Sequence, residues 1–125
     1  MKLIFAAIKP FKLEEVREAL TTIGVRGMMA TGIKGFGSEA GHTESYRGAE
    51  YAVNFVLKVK LEIVMPSAMA DQVVETIAKT AKTDKIGDGK IFDLDVNQAV
   101  RVRTGETNED AIRAPRRSSR KDQEK

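Results

Sequence analysis

An α+β sandwich made of two tandem βαβ halves is the fold class that this 125-residue sequence predicts. Three observations lead there. Two short apolar stretches are each followed by an amphipathic helical pattern, a second strand pattern closes each half, and a glycine-rich segment separates the halves. Composition allows one such domain, because 42% hydrophobic and 31% charged residues are globular proportions and the length supports one ordinary core.

The elements follow in order. Residues 2–8 read as a strand that Lys9-Pro10 breaks. A helix comes next, with Leu13, Val16, Leu20 and Ile23 at helical spacing, Glu14 and Glu15 in its first turn, and Gly24 at its exit. Gly27 marks a turn, and residues 28–34 form a second strand. Residues 35–53 have no sustained period; Gly35, Gly37, Gly41 and Gly48 are scattered among polar side chains, as in a functional or mobile loop. Alternation returns over residues 56–65, with Val59, Leu61, Ile63 and Met65 on one face and Lys58, Lys60 and Glu62 on the other. Ser67 is read as the N-cap of a second helix whose stripe is Ala70, Val73, Val74, Ile77, Ala78 and Ala81. Residues 91–96 form a strand, and residues 100–103 a short terminal one. This order is that of a ferredoxin-like sheet with both helices on one face. Its other face then needs cover, which subunit association would supply.

Charge argues against a nucleic-acid reading. The net charge is +3, but residues 113–125 alone carry +4, which leaves residues 1–112 at −1. The basic side chains Arg113, Arg116, Arg117, Arg120, Lys121 and Lys125 belong to a polar end that reads as a disordered tail. A nucleic-acid-binding body carries its own basic face, and this sheet lacks the stacking aromatics of an RNA-recognition motif. There are no cysteines, so disulfides and thiolate metal sites are excluded. No stretch reaches the ~18 apolar residues of a membrane span and no signal segment is recognisable, so a cytoplasmic protein is expected.

The chemistry concentrates in Lys85-Ile86-Gly87-Asp88-Gly89-Lys90 and in Val100-Arg101-Val102-Arg103. Two glycines let the backbone curl into an anion-binding nest flanked by lysines. On a strand, Arg101 and Arg103 would share one face. A few charge-assisted contacts of roughly 1.5–3 kcal/mol each suffice for micromolar binding of a polyphosphate. The loop is not a Walker A motif, because Ile91 follows Lys90, and Asp-Gly is also ordinary turn vocabulary, so a plain αβ turn stays open on chemistry alone. Gly35-Phe36-Gly37 opens no dinucleotide fingerprint, the later Gly41 being one residue too distant. His42 is the sole histidine, and no metal cluster or nucleophilic set can be assembled. Asp93 and Asp95 share a strand face without an evident acid–base partner.

Taken together, Lys9-Pro10-Phe11-Lys12-Leu13, Lys34-Gly35-Phe36-Gly37, Gly41-His42-Thr43-Glu44, Tyr46-Arg47-Gly48-Ala49-Glu50-Tyr51, the glycine loop and Arg101-Val102-Arg103-Thr104-Gly105-Glu106 resemble the PII nitrogen-regulatory signal-transduction family over residues 1–112. The resemblance implies a non-enzymatic homotrimer that binds ATP or ADP in clefts between subunits. Gly87, Asp88, Gly89 and Lys90 would hold phosphates, and Arg101 and Arg103 would reach them. Gly35, Phe36, Gly37 and Ser38 would lie near the nucleotide at the base of the long loop. Glu62, Val64, Thr83, Gly27, Met28 and Met29 would surround the adenosine. Residues 37–55 would be the T-loop, which engages partner proteins, and Tyr51 stands where many relatives are modified. The implied partners are an ammonium channel, a metabolic or modifying enzyme, or another transporter, which could also bring the protein to a membrane.

The chain departs from the family pattern at one place that bears on its effector. Ser38-Glu39-Ala40 stands where responsive relatives read Arg-Gln-Lys. Glu39 could ligate Mg²⁺ but should repel 2-oxoglutarate, whereas Lys58, the effector-pairing lysine of relatives, is retained. The resemblance thus implies a nucleotide sensor with a weakened or lost 2-oxoglutarate response. Its alternatives are a conventional nitrogen regulator, a branch sensing another anion such as bicarbonate or another nucleotide, and, more remotely, a weak ATPase.

Overall fold

The computed structural model describes residues 1–36 and 55–113. The expectations for the 37–55 loop, His42, Tyr46, Tyr51 and residues 114–125 therefore fall wholly or almost wholly outside the described residues, as do Gly37, Ser38 and Glu39.

Chain order is β1 (Lys2–Ile8), α1 (Leu13–Thr22), β2 (Met29–Gly35), β3 (Val56–Met65), α2 (Ser67–Ala81), β4 (Lys90–Asp95) and a single-turn α3 (Glu109–Ile112), with a 3₁₀ turn at Pro10–Lys12 leading into α1. The four strands form one sheet in the order β2-β3-β1-β4, and every neighbouring pair is antiparallel. Each β-α-β half therefore spans a strand of the other half, the split arrangement of a ferredoxin-like fold.

Alternation in β1 and β3 sets which sheet face is dry. Ile4, Ala6 and Ile8 lie opposite Ile63, Leu61 and Val59, and all but the partly buried Val59 are almost fully removed from water. From α1, Val16 and Leu20 enter this core, with Leu13 and Ile23 packed beside them. Ala70, Val73, Ile77 and Ala81 enter it from α2. Both helices cover the same face, and their apolar stripes match the sequence expectation except that Ala78 stays exposed.

Two local expectations are corrected. Ser67 is not the N-cap of α2: Pro66 holds that position with φ −59° and ψ 145°, and Ser67 begins the helix. The Ser67 hydroxyl instead accepts a 3.1 Å hydrogen bond from the Met1 ammonium. Proline's locked φ places the chain in extended backbone immediately before the helix, which leaves the serine inside it.

The second correction concerns residues 100–103, which form no strand. Val100 makes an isolated bridge with Thr107, and residues 102–104 turn. A tight hairpin closes through Gly105 N–H to Arg101 C=O and Arg101 N–H to Glu106 C=O, both 2.8 Å. Val102 is consequently 96% exposed, where a strand reading would have it on a packed face.

The outer sheet face carries Leu3 and Phe5 of β1 opposite Leu94 and Phe92 of β4. Phe5 and Phe92 meet edge to face with ring centroids 5.7 Å apart, yet Phe92 remains 50% and Leu94 46% exposed. Apolar surface of this kind, on one side of a sheet whose other side is covered by helices, favours burial against another protein surface.

Candidate functional site

The segment between α2 and β4 crosses the end of β1 and is held there by side chains. Gly87 and Gly89 have φ of +93° and +108°, so the backbone turns through conformations that L side chains rarely adopt. Gly89 lies against β1 so closely that a Cβ there would fall 1.7 Å from the Ala7 carbonyl oxygen. Lys90 then enters β4 opposite Ala7, on the outer sheet face.

Asp88 braces the loop from inside. One carboxylate oxygen accepts hydrogen bonds from the Thr83 and Asp84 amides at 2.8 and 2.9 Å, while the other accepts from the Thr83 hydroxyl. Lys9, at the exit of β1, places its ammonium 3.4 Å from that second oxygen and 3.2 Å from Thr83 Oγ1. Thr83 Oγ1 also accepts from the Lys85 amide at 3.2 Å. The Thr83 hydroxyl, then its amide, hold the Asp88 carboxyl far below the usual carboxylate range, with the Asp84 amide and Lys9 acting in the same direction.

A depressed folded-state pKa adds stability above the unfolded carboxylate value of about 3.9, and that stability is lost as pH falls through the lower folded value. Asp95 behaves in the same sense because Lys2 hydrogen-bonds it. Thermal stability is expected to fall as pH drops from about 4 toward 2, and Asp88→Asn should make that fall shallower in a differential scanning series. An unchanged slope would remove Asp88 as a contributor.

Lys58 supplies a second brace. It is the one charged residue found buried among those described, with 7% exposure, and its ammonium donates to the Gly87 carbonyl oxygen. A lysine that the alternation of β3 places away from the helices is thus buried and bonded to the glycine loop.

Other expected site residues divide into groups. On the outer face, Glu62 is paired in register with Met29 and Phe5, and its carboxylate lies 3.8 Å from Lys60. Val64 follows on the same face. Met28, by contrast, packs against the core, and Gly27 lies in the exposed connection before β2. Gly35 ends β2, and Phe36 beyond it meets Phe55 edge to face at 5.7 Å, both rings being largely exposed. This pair joins the two ends of the 37–54 segment.

The arginine pair is not arranged as the strand reading expected. Arg101 Nη2 donates to the carbonyls of Arg113 and Asp110 at 2.7 and 3.4 Å, and its Nε lies 3.0 Å from a Glu106 carboxylate oxygen. The Nε–H is not aimed well enough to count as hydrogen-bonded, so the contact is an ion pair only. Arg103 lies within the 102–104 turn and is exposed. Within the described residues, the bonds of Arg101 all lead to the hairpin and the C-terminal turn, not to the glycine loop.

Asp93 and Asp95 find a structural partner in Lys2, at 3.5 and 2.8 Å. Lys9 is the site residue that sequence reasoning misses. Along the chain it is only part of a strand break, and the signal available is a cation fixed by Pro10 at a strand end. Among the described residues no cluster of three or more His, Cys, Asp or Glu side chains could hold a metal, and no helix is long and apolar enough to cross a membrane.

The fold and the loop define a ferredoxin-like α+β domain with a braced glycine turn at the end of its open sheet face. The family model described as nitrogen regulatory protein P-II matches residues 1–106. Nitrogen regulatory protein P-II of Haemophilus influenzae is 61% identical over 112 residues, which is 90% of this chain and all of that relative. Nitrogen regulatory protein P-II 1 of Escherichia coli K12 is 59% identical, and nitrogen regulatory protein P-II of Rhizobium etli 57%, with the same coverage. The chain belongs to the nitrogen regulatory protein P-II family, a family of signal-transduction regulators.

Proposed function

We propose that the protein is a non-enzymatic adenine-nucleotide sensor of the PII type. It binds ATP or ADP in clefts between the subunits of a homotrimer and controls a partner protein through residues 37–55. The observation that carries this reading is the glycine loop, whose shape is held by Asp88 and Lys58 while Lys90 stands on the outer sheet face. A curled backbone with a lysine at its exit suits phosphate oxygens. Arg101 and Arg103, set on a separate hairpin, are then best used as the opposite wall of a cleft completed by a neighbouring subunit.

Titration calorimetry is the direct test. Micromolar binding of ATP or ADP is expected, and absence of binding by either nucleotide would sink the reading. Mg²⁺ would accompany the nucleotide, with Glu39 as the candidate protein ligand. The 2-oxoglutarate response is proposed to be weak or absent, because Glu39 sets an anion where an anionic effector would sit. Tight Mg-ATP-dependent binding of 2-oxoglutarate would refute that part. The enclosed Lys58 favours the second reading, a conventional 2-oxoglutarate-responsive nitrogen regulator. A branch answering bicarbonate or a different nucleotide is the further alternative, and Ser38-Glu39-Ala40 is what favours it. The targets fitting these readings are an ammonium channel or a metabolic or modifying enzyme in the one case, and another transporter in the other.

The trimer is supported by the apolar outer face of β1 and β4. Light scattering is expected to give three times the 13.8 kDa chain mass for the parent. Phe92→Glu should shift the protein toward monomer, because it places a charge on the surface to be buried. A monomeric parent at micromolar concentration would defeat both the trimer and the shared cleft.

A further inference from the structure

Asp88 lies between the two left-handed glycines, where a residue facing a phosphate would be expected, yet its carboxylate is turned back into its own loop. Both oxygens are occupied, one by the Thr83 and Asp84 amides and the other by the Thr83 hydroxyl and Lys9. The side chains of Lys9 and Asp88 are 22% and 27% exposed, so the pair is largely enclosed. A carboxylate aimed at a phosphate would also oppose it by like charge.

We infer that Asp88 is a positioning residue: with Thr83 and Lys9 it fixes residues 83–88 from within, so that the glycine backbone and Lys90 meet the anion, and it does not itself touch the ligand. This inference rests on the nucleotide reading above and differs from the resemblance, which groups Asp88 with the residues holding phosphate. Lys9 ties the loop to β1, and Asp88 ties Lys9 and the α2 exit to the glycines. The loop is therefore held in shape before a ligand arrives, which lowers the ordering cost of binding.

Two measurements on the full chain separate positioning from contact: titration calorimetry with ATP and with ADP, and amide hydrogen exchange of residues 83–90 without nucleotide. Asp88→Ala is expected to weaken both nucleotides by about tenfold or more, by a common factor, and to speed exchange in the loop. Asp88→Asn keeps an acceptor for the Thr83 and Asp84 amides, so it should bind within about threefold of the parent and exchange nearly as slowly.

The inference is overturned if Asp88→Ala binds and exchanges like the parent. It is equally overturned if Asp88→Asn loses as much affinity as Asp88→Ala or changes the ATP-to-ADP preference, since the charge would then act on the ligand. If the folded parent binds neither nucleotide, the nucleotide reading falls instead, and the exchange rates still decide whether Asp88 braces the loop.

Discussion

Gly89→Ala is expected to displace the glycine loop from β1, lower stability by roughly 2–5 kcal/mol and abolish nucleotide binding. The added Cβ would meet the Ala7 carbonyl oxygen at 1.7 Å, the Ala7 carbonyl carbon at 2.9 Å and the Ile8 Cα at 3.4 Å. All three belong to the backbone of a central strand, which cannot move aside as a side-chain tip could. The φ of +108° adds backbone strain for any L residue. A comparison with Gly24→Ala isolates the steric part. Gly24 has φ +103° but nothing within 4 Å of an added Cβ, so its substitution should cost only the strain, about 1–3 kcal/mol. Thermal melts and ADP titration read both outcomes. Equal losses in the two variants, or intact nucleotide binding in Gly89→Ala, would contradict the close approach.

Leu61→Ala should cost about 3–5 kcal/mol, the range of buried leucine truncations that leave a cavity. Leu61 is fully buried in the middle of β3, and its cross-strand neighbours on the core face are Ala6 and Ala30. Neither alanine can extend into the space that the isobutyl group leaves. Urea unfolding at fixed protein concentration should show a lower midpoint with an unchanged slope. A loss below about 1 kcal/mol would mean that the sheet and helices collapse around the site.

The elements of this fold are legible in the sequence wherever one face of a strand or helix is dry. The alternation over residues 56–65 gives β3 its observed bounds, because the pleat sends successive side chains to opposite sheet faces. The stripes of α1 and α2 are legible for the same reason at helical spacing. The alternation of Val100-Arg101-Val102-Arg103 carries the same signature, yet among the described residues it pairs only through the single bridge at Val100. A strand needs a neighbour, and periodicity alone does not report one.

The glycine loop is legible as a place, and its braces are not. Residues 85–90 announce a turn, since two glycines in one short loop release the backbone from ordinary φ. Which way Asp88 faces depends on Thr83, Asp84 and on Lys9, 79 residues before it in the chain. Lys58 likewise reads as one of the charged residues on the polar side of a strand, and its burial and its bond to the Gly87 carbonyl appear only in the folded chain.

By itself, then, the sequence determined the ferredoxin-like order, the dry sheet face and the position of the glycine loop, because each is written in local spacing and backbone preference. The tertiary structure decided the partners: Asp88 to its own loop, Lys58 to Gly87, Arg101 to the C-terminal turn. Those pairings depend on which groups the packing brings within hydrogen-bond distance, and distance through space has no counterpart in spacing along the chain.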